Sequence, residues 1–260
     1  MEPPVNLVSG RLERQPLFLP VIILIPNHYS SMSEVEKYVK SEPKSEVYLM
    51  DCMEGMKRYP DNHFDLAIVD PPYGIGEDGR NNHTRGKLAK AKDYRSNSRY
   101  DNEAPSPEYF TELQRVSKNQ IIWGANHFGN LAPASCWIVW DKDNNENDFA
   151  DCELAWTSFP SAVRKIKYRW NGMLQEDMKN KEERIHPNHK PIFLYRWLIK
   201  GYAGSATGTK ILDTHLGSGS SRIAAYEMGY DFTGFEIDPD YFHAQEKRFN
   251  QYKTQLRLEI

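Results

Sequence analysis

The stretch from residue 210 to residue 236 constrains the fold most. Lys210-Ile211-Leu212-Asp213 is a short apolar run closed by an acid and reads as a buried strand. Residues 214–221, with Gly217 and Gly219, read as a loop; residues 222–228 read as a helix stopped by Gly229; Phe232-Thr233-Gly234-Phe235-Glu236 reads as the next strand. Strand, glycine loop, helix, strand, acid is the unit of nucleotide-binding α/β folds, built on a parallel sheet with helical crossovers. The glycines let a ligand approach the backbone closely, and an acid at the next strand end suits a ribose diol. The third glycine of the dinucleotide fingerprint is missing, so a pyrophosphate cradle is not indicated. S-adenosylmethionine, with a ribose and an adenine but no phosphate, fits this reduced motif better than NAD.

A second motif lies upstream. Phe64-Asp65-Leu66-Ala67-Ile68-Val69 reads as a buried strand, and Asp70-Pro71-Pro72-Tyr73 follows it. Two prolines forbid a continuing strand or helix, so the chain turns there. The turn gathers a carboxylate, a free carbonyl and an aromatic ring at a strand end. Such a set suits a flat base with an exocyclic amine: Asp70 and the Pro71 carbonyl accept the amine hydrogens, and Tyr73 stacks on the ring. Taken alone, the tetrapeptide also fits a strand-ending turn with a solvated Asp.

Together these motifs resemble the amino-group DNA methyltransferases that act on N6 of adenine or N4 of cytosine. The order is that of the permuted, β-type members, with the catalytic motif ahead of the cofactor motif, and Asp70 matches the adenine form. His186-Pro187-Asn188-His189-Lys190-Pro191 is similar to the family's His-Pro-x-x-Lys-Pro segment, and Glu46 to Asp51 to the strand whose last acid meets the cofactor adenine. The resemblance covers residues 46–252. It implies a Rossmann-like, doubly wound α/β sheet in circularly permuted order. It implies catalytic Asp70, Pro71, Pro72 and Tyr73. It also implies a cofactor set of Asp51, Asp70, His186, Lys190, Asp213, His215, Leu216, Gly217, Ser218, Gly219, Ser220, Glu236 and Asp238. One departure stands out: many relatives carry Asp-Pro-Phe where this chain has Asp213-Thr214-His215. The implied reaction moves a methyl group from S-adenosylmethionine to N6 of an adenine flipped from double-stranded DNA. Transfer to N4 of cytosine and a non-catalytic DNA-binding subunit are the alternatives.

A chain of 260 residues is long enough for one α/β domain, expected over residues 32–260, with a short target-recognition insert at about 161–185. Residues 1–31 match nothing in the family and read as an extension outside the catalytic domain, or as an apolar arm used in dimer contact. Leu17 to Ile25 is too short to span a membrane. Cys52, Cys136 and Cys152 have no C-x-x-C spacing and read as reduced thiols of a cytoplasmic protein. No metal site is expected, since Pro187 breaks any helical pairing of His186 with His189. Monomer and homodimer both fit, as does a cognate restriction enzyme.

A net charge of −3 means that any DNA surface is local. Residues 79–99 hold Arg80, Arg85, Lys87, Lys90, Lys92, Arg95 and Arg99 against the single acid Asp93, directly after Tyr73. Such a run is often a solvated face; beside a base pocket, phosphate binding is the better reading. The second basic stretch, residues 164–171, carries Arg164, Lys165, Lys167 and Arg169 alternating with apolar or aromatic residues, and reads as one strand with a basic face. Ser106-Pro107-Glu108 signals a helix start with Ser at the cap, running to Val116. Asn126 and Asp141, at the ends of apolar runs, read equally as pocket residues or as residues that hydrogen-bond within their loops.

Overall fold

Apolar runs of four to six residues become the strands of one sheet. The computed structural model describes residues 42–76, 101, 103–144, 150–171 and 174–258. The proposed N-terminal extension and the basic segment 79–99 lie outside the described residues. In chain order the elements are β1 (Ser45–Leu49), α1 (Cys52–Met56), β2 (Leu66–Val69), α2 (Pro107–Val116), β3 (Gln120–Trp123), β4 (Trp137–Asp141), β5 (Cys152–Thr157), β6 (Arg164–Lys167), β7 (Trp170–Asn171), β8 (Leu174–Gln175), α3 (Ile192–Tyr202), β9 (Lys210–Asp213), α4 (Ser220–Glu227), β10 (Asp231–Glu236) and α5 (Pro239–Leu258). A turn of 3-10 helix, Ala125–His127, follows β3.

Eight strands form the main sheet in the order β1-β10-β9-β2-β3-β5-β4-β6. All run the same way except β5, which is antiparallel to both β3 and β4. β7 and β8 pair separately. Strand periodicity sorts the side chains into two cores. Leu66, Ile68, Ile121, Trp123 and Ile211 face one side, where α3 and α4 supply Leu194, Leu198, Ile223 and Ala224. Ala67, Val69, Ile122 and Leu212 face the other, against Tyr109, Phe110, Leu113 and Val116 of α2. Both faces are covered, so β2 and β3 are buried at every position, which is why they read as unbroken apolar runs. The fold is a doubly wound, Rossmann-like α/β sheet, as expected.

Ser106 caps α2 with Pro107 at its first position, as expected; its hydroxyl makes no capping bond and bonds the exposed Glu108 carboxylate. Two local expectations need correction. α4 begins at Ser220 rather than 222, because Gly219 at φ 70° sets the turn that opens the helix. Residues 164–171 are not one strand. β6 ends at Lys167, where Tyr168 stacks on Phe193 at 4.3 Å and Trp170 turns inward to donate from Nε1 to the His189 carbonyl. Burying two rings in the α3 core outweighs continuing an edge ladder.

Candidate active site

The parallel strands deliver the candidate residues to one edge. β2 and β9 are neighbours, with Leu66 opposite Ile211 and Ala67 opposite Leu212. Asp70 and the glycine loop therefore leave the sheet side by side. From β9 the chain winds outward through β10 towards β1, and from β2 through β3, with α4 and α2 on opposite faces. This is a topological switch point, where such sheets bind ligands beyond the strand carboxyl ends. Glu236 ends β10 beside Leu49, so Asp51 reaches the same edge.

The Asp70 turn is held tightly. The Tyr73 hydroxyl donates to Asp70 Oδ1 at 2.6 Å, and Lys190 Nζ donates to Oδ2 at 2.5 Å. The backbone amides of Tyr73 and Gly74 donate to one oxygen of Asp101, at 2.6 and 3.0 Å. Asp101 is 1% exposed, so these bonds fix the turn with little competition from water. The Tyr73 ring lies over Gly124, where an added Cβ would sit 2.0 Å from a ring carbon. It also stacks on His127, with centroids 5.2 Å apart and planes 14° from parallel. His127 therefore supplies a ring to the site's wall.

Lys190 is shared by two carboxylates, Asp70 Oδ2 and Glu153 Oε2 at 3.1 Å, and Glu153 is also paired with Lys142. Burial pushes Asp70 above the usual carboxylate range, and Lys190 only partly offsets this. Glu153 is buried too, but the Lys190 and Lys142 ammonium groups pull it down to about 2. Burial opposes the Lys190 charge, yet the two carboxylates more than compensate and raise its pKa.

The glycine loop takes its shape from its own amides. Leu216 N donates to the Phe235 carbonyl, Gly219 N to the Leu216 carbonyl, and Gly217 N to Glu236 Oε2 at 2.8 Å. With those three donors used, the loop is a poor nest for a phosphate and presents a carboxylate instead. Glu236 Oε1 accepts from Asp238 N at 2.9 Å, leaving each oxygen further acceptor capacity. Burial raises the pKa of Glu236. Asp213 anchors the loop from below, accepting from Ser221 Oγ and His215 N; burial lifts it to about 7. His215 Nδ1 and Tyr109 Oη both bond Thr214 Oγ1, a polar knot at the start of the loop.

His186 stands over Gly217, its ring 3.5 Å from where a Cβ would be. Burial holds its pKa down to about 3, so the ring is neutral, with Nδ1 accepting from Asn188 N. His189 Nε2 and Ser220 Oγ are 3.1 Å apart, tying this segment to the loop, and Ser218 Oγ bonds Ser220. Asp51 caps α1 through the amides of Met53 and Glu54, and Asp238 caps α5 through those of Asp240 and Tyr241. Lys190 lies against Asp70, another member of the expected cofactor set.

Of the proposed DNA-contacting residues, Arg80, Arg85, Lys87, Lys90, Lys92 and Arg95 lie outside the described residues. Three of the other four carry their own counter-charges. Lys165 pairs with Asp141 at 2.9 Å, Lys167 with Asp143 at 2.7 Å, and Arg169 also with Asp143. Arg164 donates to the Val163 carbonyl. Asp141 thus faces a strand cation, and Asn126 is exposed on its turn. Sequence reasoning missed Asp101 and Glu153. Glu153 left a trace, as the one charge in the strand Cys-Glu-Leu-Ala-Trp-Thr.

Residues 119–247 match the N6/N4 family described as "DNA methylase", a span that holds the glycine loop and Glu236 and starts beyond Tyr73. The chain is similar to the type II methyltransferase M2.MboI of Moraxella bovis, 22% identical over 87% of this chain and 98% of that one. It is also similar to the type II methyltransferase M.HinfI of Haemophilus influenzae, 23% identical over 78% of this chain and 67% of that one. Among solved structures, the M1.HpyAVI–SAM complex aligns with a TM-score of 0.47 at 20% identity, covering 78% of this chain and 98% of that one. Among the described residues no helix is long and apolar enough to cross a membrane. The family match and the two type II relatives support an amino-group DNA methyltransferase.

Proposed function

We propose that the chain transfers a methyl group from S-adenosylmethionine to the N6 amine of an adenine flipped out of double-stranded DNA. The observation that carries this reading is the placement of the Asp70–Tyr73 turn beside the glycine loop, on adjacent parallel strands at the switch point. The β-type order of the family, catalytic turn before cofactor loop, agrees with it.

The residues suit the cofactor. Glu236 offers acceptors for a ribose diol, Gly217 and Gly219 carry no side chain at two loop positions, and the amides of Leu216, Gly217 and Gly219 are already used within the protein. S-adenosylmethionine would supply an electrophilic methyl group on a sulfonium sulfur. Asp51, Glu236 and Asp238 would line its adenosine half, with His186, His215 and the loop beside them.

The remaining work falls to this chain's own side chains. Flipping is required because the amine is otherwise paired in the duplex. Tyr73 stacks on the extruded ring, and Asp70 with the Pro71 carbonyl accepts the amine hydrogens. Those bonds would favour a pyramidal nitrogen whose lone pair could take the methyl group, with the carbon–sulfur bonding pair staying on sulfur. The nitrogen would then lose one proton, which Asp70 would accept. Among the described residues each Asp70 oxygen takes one bond, from Tyr73 or Lys190, and keeps further acceptor capacity for the amine. Fixed charges around Asp70 and the rigid turn favour the transition state by positioning and preorganisation.

The test is to incubate the protein with DNA and methyl-labelled S-adenosylmethionine, digest the product and identify the labelled nucleoside. N6-methyladenine is expected. N4-methylcytosine would replace the adenine reading, and cofactor binding without transfer would favour a DNA-binding subunit.

A further inference from the structure

β5 runs against its neighbours, so its first residues lie at the edge where the others end. Glu153 stands opposite Trp140 and two residues before Ala155, the partner of Trp123. There its carboxylate sits between two ammonium groups. Lys142 takes Oε1, and Lys190 stands 3.1 Å from Oε2 on its way to Asp70 at 2.5 Å. The Lys190 side chain is 4% exposed and that of Asp70 14%, so water screens their contact weakly. One ammonium between two carboxylates cannot serve both fully.

We propose that Glu153 is a positioning residue for Asp70, acting through Lys190: anchored by Lys142, it draws the shared ammonium towards itself and leaves the Asp70 carboxylate available to the substrate amine. This rests on the reading of Asp70 as the amine acceptor. Without Glu153, Lys190 would settle wholly on Asp70, occupy its acceptor sites and stabilise its charge. That would make it a weaker acceptor for the amine and for the proton released after transfer. The opposite fates of the two carboxylates agree with this division, Asp70 lying above the usual range and Glu153 held at about 2. The groups acting on Asp70 are Tyr73 in its own turn, Lys190 ahead of α3, Glu153 of β5 and, at longer range, Tyr109, Tyr195 and Asp213. Glu153 is the acid among them that shares a cation with Asp70.

The sign can be tested from both ends of the chain. Carboxyl-carbon NMR of the free protein reads the Asp70 titration without substrate, and the pH profile of methyl transfer reads it in turnover. In Glu153→Gln, Asp70 should titrate about one pH unit lower, the acid limb of kcat should move the same way, and the plateau should fall roughly tenfold. Glu153→Asp should recover part of both changes. Lys142→Gln, which keeps a polar side chain of similar shape, should move Asp70 the opposite way, since it leaves Glu153 less neutralised. S-adenosylmethionine affinity should be the same in all three variants. An unmoved Asp70 titration, or shifts of one sign in Glu153→Gln and Lys142→Gln, overturns the proposal. The predicted opposite shifts in a protein with no methyl transfer to DNA would support the charge chain and overturn the functional reading instead.

Discussion

Asp70 and Glu236 occupy the same structural position, the residue that closes a parallel strand, yet their surroundings give them different work. Among the described residues Asp70 accepts only side-chain donors, Tyr73 and Lys190, so its removal leaves the described backbone hydrogen bonding intact. Lys190 would keep Glu153 as counter-ion. Asp70→Ala is therefore expected to fold and to bind S-adenosylmethionine nearly normally while losing at least ~100-fold in turnover, the usual scale for a transition-state contact. Circular dichroism, calorimetry and single-turnover methyl transfer check the three parts, and normal turnover in a folded variant would remove Asp70 from the mechanism. Glu236 accepts two backbone amides, those of Gly217 and Asp238. Alanine there would strand both at about 1–3 kcal/mol each, confounding binding with folding. Glu236→Gln keeps one acceptor oxygen and the shape. It should weaken S-adenosylmethionine by about 1.5–3 kcal/mol, the value of charge-assisted bonds, with a smaller change in thermal stability. Unaltered affinity by calorimetry would count against this pocket. These acids were legible in the sequence because strand ends are local features. Glu153 was not, because its value depends on Lys190, which the fold brings to it from a distant segment.

Elements were legible where burial alone decides them. β2, β3 and β9 are apolar runs covered on both faces, and α2 carries buried residues at helical spacing between a Ser-Pro start and Val116. The stretch 164–171 misled because its alternation continues through Arg169 while its rings are claimed by α3 and the His189 backbone, contacts with no local signature. The join between β3 and its 3-10 turn is the element boundary most tightly coupled to the site. Gly124 has φ 67°, and a Cβ there would stand 2.0 Å from the Tyr73 ring. A left-handed conformation costs an L residue about 1–2 kcal/mol before any clash. Gly124→Ala should thus lower stability by at least that amount and push the Tyr73 ring off its present seat, so that turnover falls more than cofactor affinity. Thermal denaturation gives the first quantity. Fluorescence of 2-aminopurine placed at the target base reads the second, since a displaced ring stacks less on a flipped base. A variant as stable as the parent and normal in flipping would mean that the ring has room to move.

At the scale of the whole molecule the question is how a chain of net charge −3 holds a polyanion. Its cations differ in how much counter-charge stands beside them, among the described residues for β6 and in the sequence for 79–99. On and beside β6, Lys165, Lys167 and Arg169 are matched by Asp141 and Asp143. A phosphate there would have to displace a carboxylate, and little counterion release would follow. The stretch 79–99 has seven cations and one acid, and it follows the Asp70 turn directly in the chain. Phosphate contact is therefore proposed for 79–99 ahead of β6. Each phosphate neutralised contributes about 0.9 to the slope of log affinity against log salt on duplex DNA. Replacing Arg85, Lys87 and Lys90 with Ala should weaken DNA binding and flatten that slope by up to roughly three units, while S-adenosylmethionine affinity stays the same. Replacing Lys165 and Lys167 should change the slope by less than one unit, because both already carry partners. A salt titration of DNA binding on the two variants side by side decides the matter. Equal losses would return β6 to the DNA surface, and an unaltered slope in the first variant would leave residues 79–99 as a solvated face.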